Sequence, residues 1–106
     1  MPDAQGRTTE FEISDIVLDI LYDNGVGRAT FRYLIREISG RITLTRADLE
    51  VSQTRPNEHV WEQRVRNISS HRRVEGNYIS EGLLIKINGG LQITEAGRRR
   101  VAARRA

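Results

Sequence analysis

The sequence predicts a mainly α fold with a small antiparallel β-hairpin, an α+β arrangement, and three observations point to it. Apolar residues recur at helical spacing in three stretches, Ile13 to Leu21, Phe31 to Ile38 and Val60 to Ile68. Two β-rich runs, Leu83 to Ile87 and Leu91 to Ile93, flank Asn88-Gly89-Gly90, and Asn-Gly between such runs is a strong short-range hairpin signal. With 106 residues, 38% hydrophobic and 29% charged, the chain has material for one core and the surface of a globular protein.

The elements follow in order. Residues 1–12 read as a polar, flexible leader, 13–97 as the folded domain and 98–106 as a basic helix end or tail. Ile13, Ile16, Val17, Ile20 and Leu21 form the stripe of a first helix, which Ser14 can cap and Asn24-Gly25 can close. Gly25-Val26-Gly27 interrupts the pattern before Phe31, Leu34, Ile35 and Ile38 restart it, with Ser39-Gly40 as the stop. Alternation from Arg41 to Leu44 predicts a short strand, and the capping-box order Thr45-Arg46-Ala47-Asp48 predicts a brief helix over Arg46 to Val51. Pro56 marks residues 52–57 as a loop, and Asn57 is the expected cap of a third helix reaching Arg72. Glu75-Gly76-Asn77 makes a turn, two strands make a hairpin over 83–93, and Thr94 caps a last helix from Glu95 towards Arg104, with Gly97 as its weak point. Helices, then a hairpin, then a capped basic segment is the order of a winged helix-turn-helix domain, in which the hairpin is the wing.

Composition narrows the function. The formal net charge is +3, and of the 17 basic residues only Lys86 is lysine. Arginine's planar fork suits phosphates and guanine edges, although a genomic bias towards arginine would produce the same count. The absence of cysteine excludes disulfides, thiolate zinc sites and cysteine nucleophiles. Residues 1–9 lack the apolar segment of a secretory signal and no run approaches a transmembrane span, so a cytoplasmic protein without membrane association is expected. His59 and His71 are the only histidines and have no metal-ligand spacing with acidic residues; a phosphate loop and a nucleophile elbow are both lacking. The expectation is a non-enzymatic chain with no catalytic residue, no metal and no cofactor.

The third helix has two chemically distinct sides. Val60, Trp61, Val65 and Ile68 form an apolar side, while His59, Gln63, Arg66, Asn67 and Ser70 gather opposite within an arc of roughly 100°. A helix fits the DNA major groove, where Arg can fork onto guanine and Asn or Gln onto adenine. The five polar residues are therefore the candidates for base contact. Arg64, His71, Arg72 and Arg73 are placed for phosphates, as are Lys86 and Asn88 on the wing and Arg98 and Arg99 beyond it. The alternatives are a solvated helix face, a plain hairpin and a solvated or linking arginine tail. Trp61 and Tyr78 are read as core anchors or as base contacts. At the level of function, the alternatives to a double-stranded DNA partner are a winged helix for protein interaction or dimerisation and a small transcriptional regulator.

Leu44-Thr45-Arg46-Ala47-Asp48-Leu49, Trp61-Glu62-Gln63-Arg64-Val65-Arg66-Asn67, Gly82-Leu83-Leu84 and Gly90-Leu91-Gln92-Ile93-Thr94-Glu95-Ala96-Gly97 resemble the winged-helix domain at the N-terminus of Mrr-type restriction endonucleases. The likeness covers roughly residues 13 to 100. It implies a DNA specificity module that serves a fused or separate nuclease domain, and similar winged helices accompany nucleases that recognise methylated adenine. An N6-methyl group removes one donor hydrogen and adds apolar surface, so its reader needs an amide beside an apolar wall. Asn67 or Gln63 would supply the amide and Trp61 or Tyr78 the wall. Two features depart from the pattern: Asn67-Ile68 replaces the Trp-Ala expected after Arg-Val, and the passage from Ser69 to Glu81 is longer.

Overall fold

The computed structural model describes residues 9–42, 48–49 and 59–106, and within them the chain forms four α-helices and one three-stranded antiparallel sheet. The order is α1 (Glu10–Asp23), β1 (Arg28–Thr30), α2 (Phe31–Ser39), α3 (Val60–Ser70), β2 (Leu84–Ile87), β3 (Gly90–Ile93) and α4 (Glu95–Arg105). No helix among these residues is long and apolar enough to cross a membrane.

Local chemistry sets the helix ends. Thr9, not Ser14, caps α1: its Oγ1 accepts from the Glu12 amide at 3.1 Å, and Glu10 and Glu12 place acid at the positive end of the helix. Residues 10–12 thus belong to the helix rather than to a leader, and Ser14 is buried within it. Asn24 closes α1 and shapes the next turn, its Oδ1 accepting from the Val26 and Gly27 amides at 2.9 and 2.8 Å. Thr30 caps α2 through the Tyr33 amide at 3.1 Å. Arg41 and Ile42 continue as a turn, both amides bonding the Ile38 carbonyl, so no strand begins there. The rest of that expected strand, most of the helix expected over Arg46 to Val51, the 52–57 loop and the Asn57 cap lie outside the described residues. The third helix is shorter than the expected 57–72: it is entered at His59, whose amide donates to the Glu62 carboxylate at 3.0 Å, and left at His71, whose amide donates to the Asn67 carbonyl at 2.8 Å.

The sheet has the order β1-β3-β2, one strand more than the expected hairpin. Ala29 of β1 pairs with Leu91, and Leu84 of β2 pairs with Ile93. Gly90 lets β1 close on β3: a Cβ there would stand 2.0 Å from the Ala29 carbonyl oxygen and 2.9 Å from Thr30 Cα. Both obstacles are backbone and cannot rotate away. Gly90→Ala is therefore expected to destabilise the fold by about 1–3 kcal/mol or more in urea unfolding, chiefly by loosening β1.

The core lies between the helices and one face of the sheet. Ile13, Val17, Leu18, Ile20 and Leu21 of α1 meet Leu34 and Ile38 of α2, Trp61, Val65 and Ile68 of α3, Leu84, Leu91 and Ile93 of the sheet and Val101 of α4. Gly97, a weak point by propensity, is the close-approach position for α4: a Cβ would stand 2.4 Å from the Leu83 carbonyl oxygen and 2.7 Å from the Ile93 side chain. Packing here outweighs helix propensity.

The long passage after α3 turns back into this core. Asn77 is buried, donating from Nδ2 to the Ile68 carbonyl at 2.9 Å and accepting from the Ile79 amide at 2.8 Å. That lock delivers Tyr78, only 6% exposed, to Asp15 of α1, with its hydroxyl 2.5 Å from the carboxylate. Burial first, then the Asp15 carboxylate, pushes the phenol up to about 12. A folded-state value above the unfolded one means that the linked stability is complete below the ordinary value of 10.0 and is lost as pH rises through about 12. An ultraviolet tyrosinate titration should show one of the three tyrosines ionising near pH 12, and Tyr78→Phe should abolish that step. The same substitution should cost about 1–2 kcal/mol at neutral pH.

Candidate nucleic-acid interface

Trp61, Val65, Ile68 and Ser69 fasten α3 to the core, which turns the opposite side outward. Gln63, Arg66, Asn67 and Ser70 form a stripe at i, i+3, i+4 and i+7, half-buried except for the exposed Ser70. The stripe is braced rather than loose. Gln63, Arg64 and Arg66 each interact within the chain, and the Arg66 guanidinium lies over the Phe31 ring, 5.5 Å from its centroid. Phe31 is the first residue of α2, and its amide donates to the carbonyl of Gly89 in the β2–β3 turn at 3.0 Å. Three elements distant in sequence, α3, the start of α2 and the β2–β3 turn with exposed Asn88, therefore meet around one aromatic residue.

The flanking candidates fare differently. His59 Nδ1 lies 3.1 Å from Glu62 Oε1, so this ring belongs to the helix start rather than reaching outward with the stripe. His71 Nδ1 is 2.9 Å from Glu10 Oε1, and Arg72 turns back to the Ser69 carbonyl at 3.1 Å; both tie down the end of α3. Among the described residues, Arg28, Arg32, Arg36, Arg72, Arg73 and Lys86 are exposed cations without an acidic partner; Arg36 lies over the Tyr33 ring and Arg72 is held by the Ser69 carbonyl, which leaves Arg28, Arg32, Arg73 and Lys86. Arg28 and Arg32 were not candidates in the sequence, because a three-residue strand gives no alternation to read and the start of α2 has no proximity to α3 until the chain folds. Arg28 pairs across to Gln92 and lines a groove of about 370 Å³ with Val26, Ala29, Thr30 and Tyr33 beside β1, the edge strand among the described residues. Asn24 Nδ2 already donates to the Arg28 carbonyl at 3.1 Å, which blocks that edge position against an added strand.

The arginine tail is not an open basic patch. Residues 98–105 are helical, and Arg100, Arg104 and Arg105 face Asp15, Asp19 and Asp23, a ridge at i, i+4, i+8 on α1. Arg105 holds Asp23 through contacts of 2.8 and 3.0 Å and keeps its carboxyl below the usual aspartate range, while its own value is raised. This contribution is present above the ordinary aspartate value and is lost as pH falls through the depressed one. Of the two tail residues assigned to backbone contact, Arg99 is 3.9 Å from Glu95 and the Arg98 guanidinium lies against Gly27. Glu10, which holds the end of α3, and Asp19, which holds α4, lie on roughly opposite sides of α1 at 3.6 residues per turn. Arg104 and Arg105 are thus held on the side of α1 away from the end of α3.

Trp61 is 4% exposed and Tyr78 6%, so both are core residues and neither offers a wall to an incoming base. The arrangement brings together Arg66, Asn67, Ser70 and the hairpin turn, adds Phe31 and Arg32, and turns Trp61 and Tyr78 into the core. No family model matches the chain, and neither a curated protein nor a solved structure matches it.

Proposed function

We propose that this chain is a winged helix-turn-helix module that binds double-stranded DNA, with α3 in the major groove and the wing on the sugar-phosphate backbone. The element order α1-β1-α2-α3-β2-β3-α4 and the sheet order β1-β3-β2 support the winged-helix reading. The observation that carries the functional reading is the junction of Arg66, Phe31 and Gly89, which sets an amide- and guanidinium-bearing helix face beside a hairpin turn. Service to a restriction-type nuclease rests on the sequence resemblance alone. Recognition of a methylated adenine loses support with the burial of Trp61 and Tyr78, so the proposal is for duplex DNA without a required modification.

Fluorescence anisotropy with a labelled duplex at increasing salt tests it. Four phosphate contacts, the number that Arg28, Arg32, Arg73 and Lys86 would supply, give a slope of about −3 to −4 in log K against log salt. Absence of duplex binding at about 50 mM salt, with concentration-dependent dimerisation instead, would favour the protein-interaction reading.

A further inference from the structure

We infer that Phe31 is the positioning residue that couples base reading by α3 to backbone contact by the wing. The inference rests on the duplex-binding reading and goes beyond it, because it assigns sequence discrimination to a side chain that touches neither bases nor phosphates. Two contacts made by different parts of Phe31 carry it. The ring lies under the Arg66 guanidinium at 5.5 Å, and the amide holds the Gly89 carbonyl at 3.0 Å.

The chemistry of the guanidinium explains what the ring does. Stacking on an aromatic uses the face of the planar cation, whereas bidentate recognition of a base edge uses its rim of N–H donors. A ring beneath Arg66 therefore narrows the rotamers of the guanidinium. The backbone contact does the equivalent for the wing. The strands β2 and β3 are only four residues each, and Thr30, immediately before Phe31, pairs with Gly90 immediately after the turn. Whatever position the start of α2 takes, Arg66 and the wing turn take it together.

The test compares wild type with Phe31→Leu and Phe31→Tyr. Leucine keeps an apolar side chain and the amide but removes the ring; tyrosine keeps both contacts. A duplex enriched by selection from a random pool and a scrambled duplex of equal length give the discrimination ratio. Phe31→Leu should lower that ratio by about tenfold or more, with the larger loss on the selected duplex, and Phe31→Tyr should restore it. Phe31 is partly buried, so circular dichroism confirms that each variant is folded. If Phe31→Leu unfolds, Phe31→Met, an unbranched apolar side chain without a ring, takes its place, and the same loss is expected. A second readout needs no DNA: the NMR resonance of the Arg66 Nε–H should lose its ring-current shift in Phe31→Leu. A folded Phe31→Leu variant with the wild-type discrimination ratio would overturn the inference alone, whereas a wild-type chain without salt-dependent duplex binding would overturn the functional reading beneath it.

Discussion

Replacing Trp61 by alanine is expected to destabilise the fold by about 3–5 kcal/mol, measured by urea or thermal unfolding. The indole is 4% exposed and fills the contact between α3 and the core beside Val65 and Ile68, so truncation leaves a cavity under the helix that is proposed to read DNA. Trp61→Phe should cost less, about 1.5 kcal/mol or under, because among the described residues the buried indole Nε1 has no hydrogen-bond partner and phenylalanine removes that donor. The two substitutions separate a core role from a base contact. An unchanged melting temperature combined with lost duplex binding would return Trp61 to the surface.

Arg66→Ala and Asn67→Ala are each expected to lower discrimination between duplex sequences by about 1–3 kcal/mol per lost base contact, read as the ratio of selected to scrambled duplex affinity. Asn67→Ala should change stability little by comparison, since α3 is fastened from the other side, whereas Arg66→Ala also gives up the Phe31 ring contact, worth about 0.5–1 kcal/mol. Arg104→Gln and Arg105→Gln serve as the contrast. These arginines face Asp15, Asp19 and Asp23 of α1 on the side away from α3, so their loss should weaken α4 docking without changing duplex affinity. Equal effects from the α3 and α4 substitutions would mean that the assignment of roles is wrong.

The first three helices are legible because each carries a stripe at 3.6-residue spacing, and Asn24, Gly40 and Thr94 mark ends that the sequence identifies. The hairpin was legible from Asn88-Gly89 between two β-rich runs. β1 was not, because a three-residue strand exists only through its pairing with Leu91 and Gly90, a tertiary event with no local signature. The start of α1 was placed too late because Thr9 competes with Ser14 as a cap, and only the buried position of Ser14 decides between them. Phe31 illustrates the same limit at the candidate site: its place in the apolar stripe of α2 is visible in the sequence, but its contacts with Arg66 and Gly89 arise from folding. The last helix from Thr94 is legible in the sequence, but what its arginines face is not. Arg100 and Arg104 face an acidic ridge on α1 that lies some eighty residues earlier in the chain. Both halves of that match have i, i+4 spacing, yet nothing local pairs one helix with the other.

Amide chemical-shift mapping of the isotope-labelled chain against a duplex tests the central claim most directly. The account predicts that the perturbed amides cluster in α3 from Gln63 to Ser70, at Phe31 and Arg32, and at Asn88 and Gly89, with residues 98–105 unperturbed. Perturbations confined to α4, or none at saturating duplex, would contradict it.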